Sequence, residues 1–309
     1  MPNEVALSVR NKLTGILPPL SMPFDAEGNL VPDALGPQID LMIESGVRAV
    51  VVGGSTGEGH TLSSDEFARA MTEAHAATAG RVPFVAGLIV NSTREAIDRI
   101  EMLGDIKIDA LQVTPVHYLF KPGLKATIEH FRAIWEATRI PILIYNVIPW
   151  NYLSVEAMLT IMDEVPGVVG MKQSSGDLKS VSDLLLAAKP ENLVLSGIDA
   201  LLYPAFSMGA HGAISALTCA VPAATVAIFD AVQRGDHAGA LDLHFKLNAL
   251  WNAMPHDMLP ACVKYVQSRQ GLPLYQPRAP MERVDADRMR LIDAAVDPVL
   301  AATERLRAA

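Results

Sequence analysis

Gly167-Val168-Val169-Gly170-Met171-Lys172 is an apolar run closed by a lysine, and Gln173-Ser174-Ser175-Gly176-Asp177 follows it. Glycine and β-branched residues suit a buried strand, and Ser174-Ser175-Gly176-Asp177 suits the turn into a helix. A lysine at the mouth of such a strand is partly desolvated. Desolvation favours the free amine, and a free amine condenses with a ketone to give a Schiff base. The competing reading is a strand cap whose ammonium points to water.

The same strand-then-helix unit recurs on both sides of this stretch. Strands are expected at residues 15–20, 47–52, 83–88, 110–114, 141–145, 193–196 and 212–215, besides the one ending at Lys172. Helices are expected at 33–45, 93–103, 124–137, 154–163 and 177–188, and the spacing of Ile39, Met42 and Ile43 puts them on one helix face. Ser63 with Glu66 three residues on reads as a capping box opening another helix. The 47–52 run is nearly all apolar, as a parallel strand covered on both faces must be. Eight strands alternating with helices predict an α/β fold of the (β/α)8 TIM-barrel kind. A doubly wound sheet is the alternative, because alternation alone does not decide closure. Beyond Pro222 the pattern is purely helical, at 223–233, 237–254, 256–269 and within 283–307. Residues 12–220 are therefore expected to form the barrel catalytic domain, and residues 221–309 a C-terminal helical extension packed on it.

Composition narrows the function. Half of the 309 residues are hydrophobic, ample for a large core. The formal net charge is -9 with no basic block, which argues against nucleic acid and anionic membrane as partners. Residues 200–229 carry no Asp, Glu, Lys or Arg, yet Pro204, Gly209, Gly212 and Pro222 interrupt them and His211 lies inside. They read as buried strand and helices, not as a membrane span. The first 15 residues have no apolar core of signal-peptide type. The two cysteines, Cys219 and Cys262, fit a reducing cytoplasm and have no metal-ligand spacing.

In a barrel the residues that follow each strand share the catalytic face. Gly54-Ser55-Thr56-Gly57-Glu58 follows the second strand, Thr114-Pro115-Val116-His117-Tyr118 the fourth, Tyr145-Asn146 ends the fifth and Lys172 the sixth. The glycine loop is not G-x-G-x-x-G and no Gly-Lys-Ser/Thr follows it, so neither a dinucleotide site nor a P-loop is indicated. It reads either as an ordinary turn or as a loop whose backbone N–H groups face a small anion beside the Ser55 and Thr56 hydroxyls. Tyr145 reads either as a core aromatic or as a proton carrier next to an imine.

Together the glycine loop, the Tyr145-Asn146 pair and the Lys172 stretch resemble the dihydrodipicolinate synthase / N-acetylneuraminate lyase family, in order and spacing, across most of residues 12–220. The resemblance implies a (β/α)8 barrel, usually a homotetramer. It also implies a class I lyase that acts on pyruvate or another 2-keto acid and an aldehyde, with neither metal nor organic cofactor. Carried over, Lys172 forms the imine and Tyr145 is the acid/base. Ser55 and Thr56, presented by Gly54, hold the pyruvyl carboxylate. The alternatives within the family are 4-hydroxy-tetrahydrodipicolinate synthase proper and a keto-deoxy sugar acid dehydratase. Outside catalysis, a keto-acid-binding relative without turnover is the alternative.

Two departures bear on the second substrate. Synthase members have an arginine shortly after Tyr-Asn that grips a carboxylate, whereas no Lys or Arg lies between Arg139 and Lys172 here. Trp150 stands in that stretch and reads either as a face for a less polar aldehyde or as a residue packed at the rim. After strand four the family often has Thr-Pro-Tyr-Tyr, its second tyrosine reaching a neighbouring subunit's site. This chain has a longer Thr114-Pro115-Val116-His117-Tyr118, which leaves Tyr118 and His117 as rival occupants of that position. Ser55 and Gln173-Ser174-Ser175 look more like the sialic acid lyase branch. Asp199, in Gly197-Ile198-Asp199, reads either as a contact to a substrate hydroxyl or as a cap on the next helix.

Overall fold

The computed structural model describes residues 3–308. Helix α1 (Glu4–Leu13) comes first, capped by the Asn3 side chain, which accepts from the N–H groups of Val5 and Ala6. The barrel alternation follows. Its first half is β1 (Gly15–Ile16), α2 (Leu35–Glu44), β2 (Val50–Val52), α3 (Ser64–Thr78), β3 (Phe84–Leu88), α4 (Thr93–Glu101), β4 (Ala110–Val113) and α5 (Leu124–Thr138). Its second half is β5 (Ile142–Asn146), α6 (Val155–Glu164), β6 (Val168–Gln173), α7 (Leu178–Ala187), β7 (Leu193–Ser196), α8 (Leu202–Ser207), β8 (Gly212–Ala213) and α9 (Ala216–Ala220). Four helices close the chain: α10 (Pro222–Gln233), α11 (His237–Ala253), α12 (Leu259–Ser268) and α13 (Ala286–Ala308).

All strand pairings are parallel, in the order β1-β8-β7-β6-β5-β4-β3-β2. The two ends of that order meet. Arg48 donates to the Ile16 carbonyl at 2.8 Å, Val51 to Pro18 at 2.9 Å and Leu20 to Val51 at 2.8 Å. The sheet therefore closes on itself, and the doubly wound alternative falls. Pro18 and Pro19 lack N–H donors, which is why regular pairing of β1 stops at Ile16, short of the expected residue 20.

Two apolar layers hold the barrel. Inside lie Leu17, Val51, Val85, Leu143, Leu195 and Ile214, and α1 plugs the base of this layer with Ala6, Val9 and Leu13. The larger layer lies between strands and helices, and α10 joins it through Ala224, Ala227 and Ile228. The capping box of Ser63 and Glu66 starts α3 as its sequence requires.

One irregularity decides what the interior carries. Ile142 is paired with Val168, but the next residue, Leu143, is paired with Gly170, so β6 holds one extra residue there. Side chains alternate faces along a strand, and a bulge resets the alternation. Val169 faces the interior layer. After the bulge Lys172 stands opposite Tyr145. Regular pairing would have set Met171 opposite Tyr145.

Candidate active site

The carboxyl ends of the strands surround a cavity of about 370 Å³. Ser55, Thr56, Tyr145 and Lys172 line its inner end. Lys172 is 4 % exposed and Tyr145 2 %. The Lys172 Nζ lies 4.0 Å from the centroid of the Tyr145 ring, and the Tyr145 hydroxyl donates to Ser55 Oγ at 3.0 Å. Three groups from β6, β5 and the loop after β2 thus form one linked set. Gly197, after β7, makes room for it: a Cβ there would sit 2.1 Å from Ser174 Oγ and 3.0 Å from Lys172 Cε.

The glycine loop is wound tightly. Gly57 and Gly59 both donate to the Gly54 carbonyl at 3.1 Å, and Glu58 donates to Ser55 at 2.9 Å. A Cβ on Gly57 would come within 2.2 Å of the Leu20 carbonyl oxygen, so only glycine fits. The backbone N–H groups of Ser55 and Thr56 have no acceptor among the described residues. Two adjacent unspent donors beside two hydroxyls make a concavity for a small anion.

A buried ion pair fixes the end of this loop. Glu58, in the left-handed region at φ 55°, meets the Lys264 ammonium at 2.6 Å, both side chains 1 % exposed. Lys264 also donates to the Gln276 carbonyl at 2.7 Å, and the Arg278 N–H donates to Glu58 at 2.8 Å. The Phe24 ring lies against both cations. Burial pushes the Lys264 pKa down, and Glu58 opposes that push. The anion loop is thereby tied to α12 and the segment after it.

Farther out, Asn146 pins the loop after β5: its amide donates to the Leu153 carbonyl at 3.1 Å and its carbonyl accepts from Leu153 N–H at 2.9 Å. The Tyr152 hydroxyl donates to the Ser174 carbonyl at 3.2 Å. Asp199 lines the cavity, yet its carboxylate accepts from the N–H groups of Leu217 at 2.6 Å and Ala216 at 3.2 Å. It is a cap on α9, and burial pushes its pKa up. The Ser174 hydroxyl, buried on the cavity wall, has no partner among the described residues.

The remaining expected site residues lie elsewhere. Trp150 is 64 % exposed, its indole N–H donates to the His117 carbonyl at 2.8 Å, and it does not line the cavity. His117 turns its ring to the Pro115 carbonyl. Tyr118 is 72 % exposed and continues into Leu119 and Phe120, which are equally bare. The tryptophan that does line the cavity is Trp251 at the end of α11, joined by His256 and Leu259. Sequence reasoning missed these three, because no motif marks them and only packing of the extension brings them to the rim. Burial pushes the Cys219 thiol up to about 12 and the Cys262 thiol up to about 11, so neither supplies a thiolate near neutral pH. No described helix is long and apolar enough to cross a membrane.

Fold and pocket define the class: a (β/α)8 barrel with a lysine-bearing cavity at the carboxyl ends of its strands. The sequence model of the Dihydrodipicolinate synthetase family matches residues 12–298, and the chain belongs to that family. It is 35 % identical over 287 residues to the 4-hydroxy-tetrahydrodipicolinate synthase of Chelativorans sp., covering 91 % of this chain and 97 % of that one. To the enzyme of the same name from Methanopyrus kandleri it is 32 % identical over 285 residues, covering 91 % and 94 %. The 4-hydroxy-tetrahydrodipicolinate synthase structure from Methylacidiphilum fumariolicum superposes with a TM-score of 0.87 at 27 % identity, covering 96 % of this chain and 99 % of that one. A catalytic-lysine mutant of Ruminococcus gnavus sialic acid aldolase shares the fold, with a TM-score of 0.88 at 22 % identity and coverage of 96 % and 98 %.

Proposed function

We propose that this chain is a Schiff-base-forming aldolase that makes or breaks a carbon–carbon bond between pyruvate, or a related 2-keto acid, and an aldehyde. The observation that carries the reading is the linked set at the closed end of the cavity: the Lys172 amine over the Tyr145 ring, with the Tyr145 hydroxyl on Ser55. The Ser55 and Thr56 N–H groups and hydroxyls hold the keto-acid carboxylate. Lys172 Nζ attacks the keto carbon, and the keto oxygen leaves as water. The protonated imine then accepts the electron pair as a proton leaves the neighbouring carbon, giving an enamine. That carbon attacks the aldehyde carbon. The aldehyde oxygen takes a proton from the Tyr145 hydroxyl, which Ser55 orients, and water hydrolyses the imine to free Lys172. Cleavage runs through the same groups in reverse.

The distal half of the aldehyde is uncharged in this reading. Lys172 is the sole Lys or Arg among the residues that line the cavity, and the imine consumes its amine. A carboxylate there lacks a guanidinium partner and loses a charge-assisted pair. The second reading, 4-hydroxy-tetrahydrodipicolinate synthase proper with a carboxylate-bearing aldehyde, is favoured by the names of the relatives. We assign residues 12–220 to the catalytic barrel and residues 221–309 to an extension that walls the cavity from outside. The bare row of Tyr118, Leu119, Phe120 and Trp150 supports a homo-oligomer, a tetramer by family resemblance. Tyr118 or His117 then serves a neighbouring subunit's site. The buried, unpaired thiols fit the cytoplasm.

Reduction with borohydride in the presence of pyruvate tests the reading. Peptide mass spectrometry is expected to place the reduced adduct on Lys172, with no adduct in Lys172→Ala. A label on Lys121 or Lys179, or none at all, overturns it.

A further inference from the structure

The wall that the extension contributes to the cavity has a chemistry of its own. Trp251 and His256 stand edge to face, with centroids 6.3 Å apart and planes at 80°, and both line the cavity. Neither the indole N–H nor either imidazole nitrogen has a hydrogen-bond partner among the described residues. Val147, Pro149 and Pro260 line the same cavity and offer no side-chain donor or acceptor. A polyol chain reaching this region leaves hydroxyls unpaired against these three residues, and a carboxylate finds no Lys or Arg there. A flat ring fits the corner. Its face lies on one aromatic plane and its edge on the other, the geometry that aromatic pairs favour.

We infer that Trp251 and His256 select the distal half of the aldehyde, and that this half is an aromatic ring carrying an uncharged polar substituent. The inference rests on the aldolase reading and names the substrate class for it. Trp251 supplies the ring contact, and His256 supplies the hydrogen bond to the substituent.

The test is aldol addition at saturating pyruvate with benzaldehyde, 4-hydroxybenzaldehyde, glyceraldehyde and succinic semialdehyde, each characterised by kcat/KM. Both aromatic aldehydes are expected to exceed glyceraldehyde, and Trp251→Ala to lower them by about tenfold, more than it lowers glyceraldehyde. Trp251→Phe is expected to restore most of the loss. His256→Phe is expected to remove the advantage of the hydroxylated ring and leave benzaldehyde unaffected. Better turnover of glyceraldehyde or succinic semialdehyde by the wild type overturns the inference, and so does an equal loss of all four aldehydes in His256→Phe and Trp251→Phe. Borohydride trapping of pyruvate is run on every variant. Trapping without aromatic preference sinks this inference alone, whereas failure of trapping in the wild type sinks the aldolase reading itself.

Discussion

Lys264→Met removes the cation buried against Glu58 and keeps most of the side-chain volume. Both groups are 1 % exposed, so neither is solvated when the other is lost. Breaking a buried pair by deleting one partner costs about 3–5 kcal/mol, because the remaining charge stays uncompensated. The Arg278 N–H still donates to Glu58 at 2.8 Å, which places the expected cost at the lower end, about 3 kcal/mol. Adding Glu58→Gln removes the orphaned charge, and the double variant should recover about half of that loss or more. Urea unfolding followed by circular dichroism, with the slope m held constant, measures Lys264→Met, Glu58→Gln and the double variant. The loop shift should also raise KM for pyruvate, since Ser55 and Thr56 ride on the turn that Glu58 ends. A loss below about 1 kcal/mol in Lys264→Met, or simple additivity in the double variant, would show that the pair is solvated and does not hold the loop.

Tyr145→Phe keeps the ring under Lys172 but deletes the hydroxyl on Ser55; turnover should fall by about 10²–10⁴ while pyruvate trapping persists, and a fall under about tenfold would make Tyr145 a packing residue. His130, whose Nδ1 meets Thr93 Oγ1 at 2.9 Å, is lowered by burial from 6.5 to about 4. The folded state holds it neutral, so its stabilising contribution is present above pH 6.5 and is lost as pH falls toward about 4. Equilibrium unfolding across that window should show a smaller slope in His130→Gln, and an unchanged slope would assign the acid sensitivity elsewhere. Light scattering on a sizing column should return an oligomer, and Phe120→Glu, on the bare row, should shift it toward smaller species; a fully active wild-type monomer refutes the shared-site reading.

The barrel was legible because parallel strands buried on both faces leave continuous apolar runs, and β7 falls at the residues that its run Leu193-Val194-Leu195-Ser196 marks. Helix α1 was harder to see. Its buried residues Ala6, Val9 and Leu13 follow a helical spacing, but a short mixed segment acquires its meaning only from the barrel base it plugs. The 256–269 stretch begins as a 3-10 turn at His256–Met258, and α12 starts only where Pro260 sits in its first turn. For the site, strand ends sufficed to bring Ser55, Tyr145 and Lys172 together. Trp150 is a candidate for the cavity wall only by following the Tyr145-Asn146 pair, whereas Trp251 lines the cavity through packing across the whole chain. No local signal distinguishes the two tryptophans.

The extra residue in β6 makes pairing register, rather than residue identity, the setting that aims Lys172 inward. Most substitutions between residues 168 and 171 leave the count intact and so leave the lysine where it is. A single deletion there restores regular pairing with the lysine still opposite Tyr145, whereas flattening the bulge at full length sets Met171 opposite Tyr145 and sends the amine to the helix side of the sheet, although every site residue is still spelled out. A letter-by-letter comparison of such a flattened variant with its parent would find every site residue intact in a protein whose nucleophile had been turned away. Grafting this segment onto another barrel therefore means transplanting the hitch in the strand along with the lysine, or leaving one residue out.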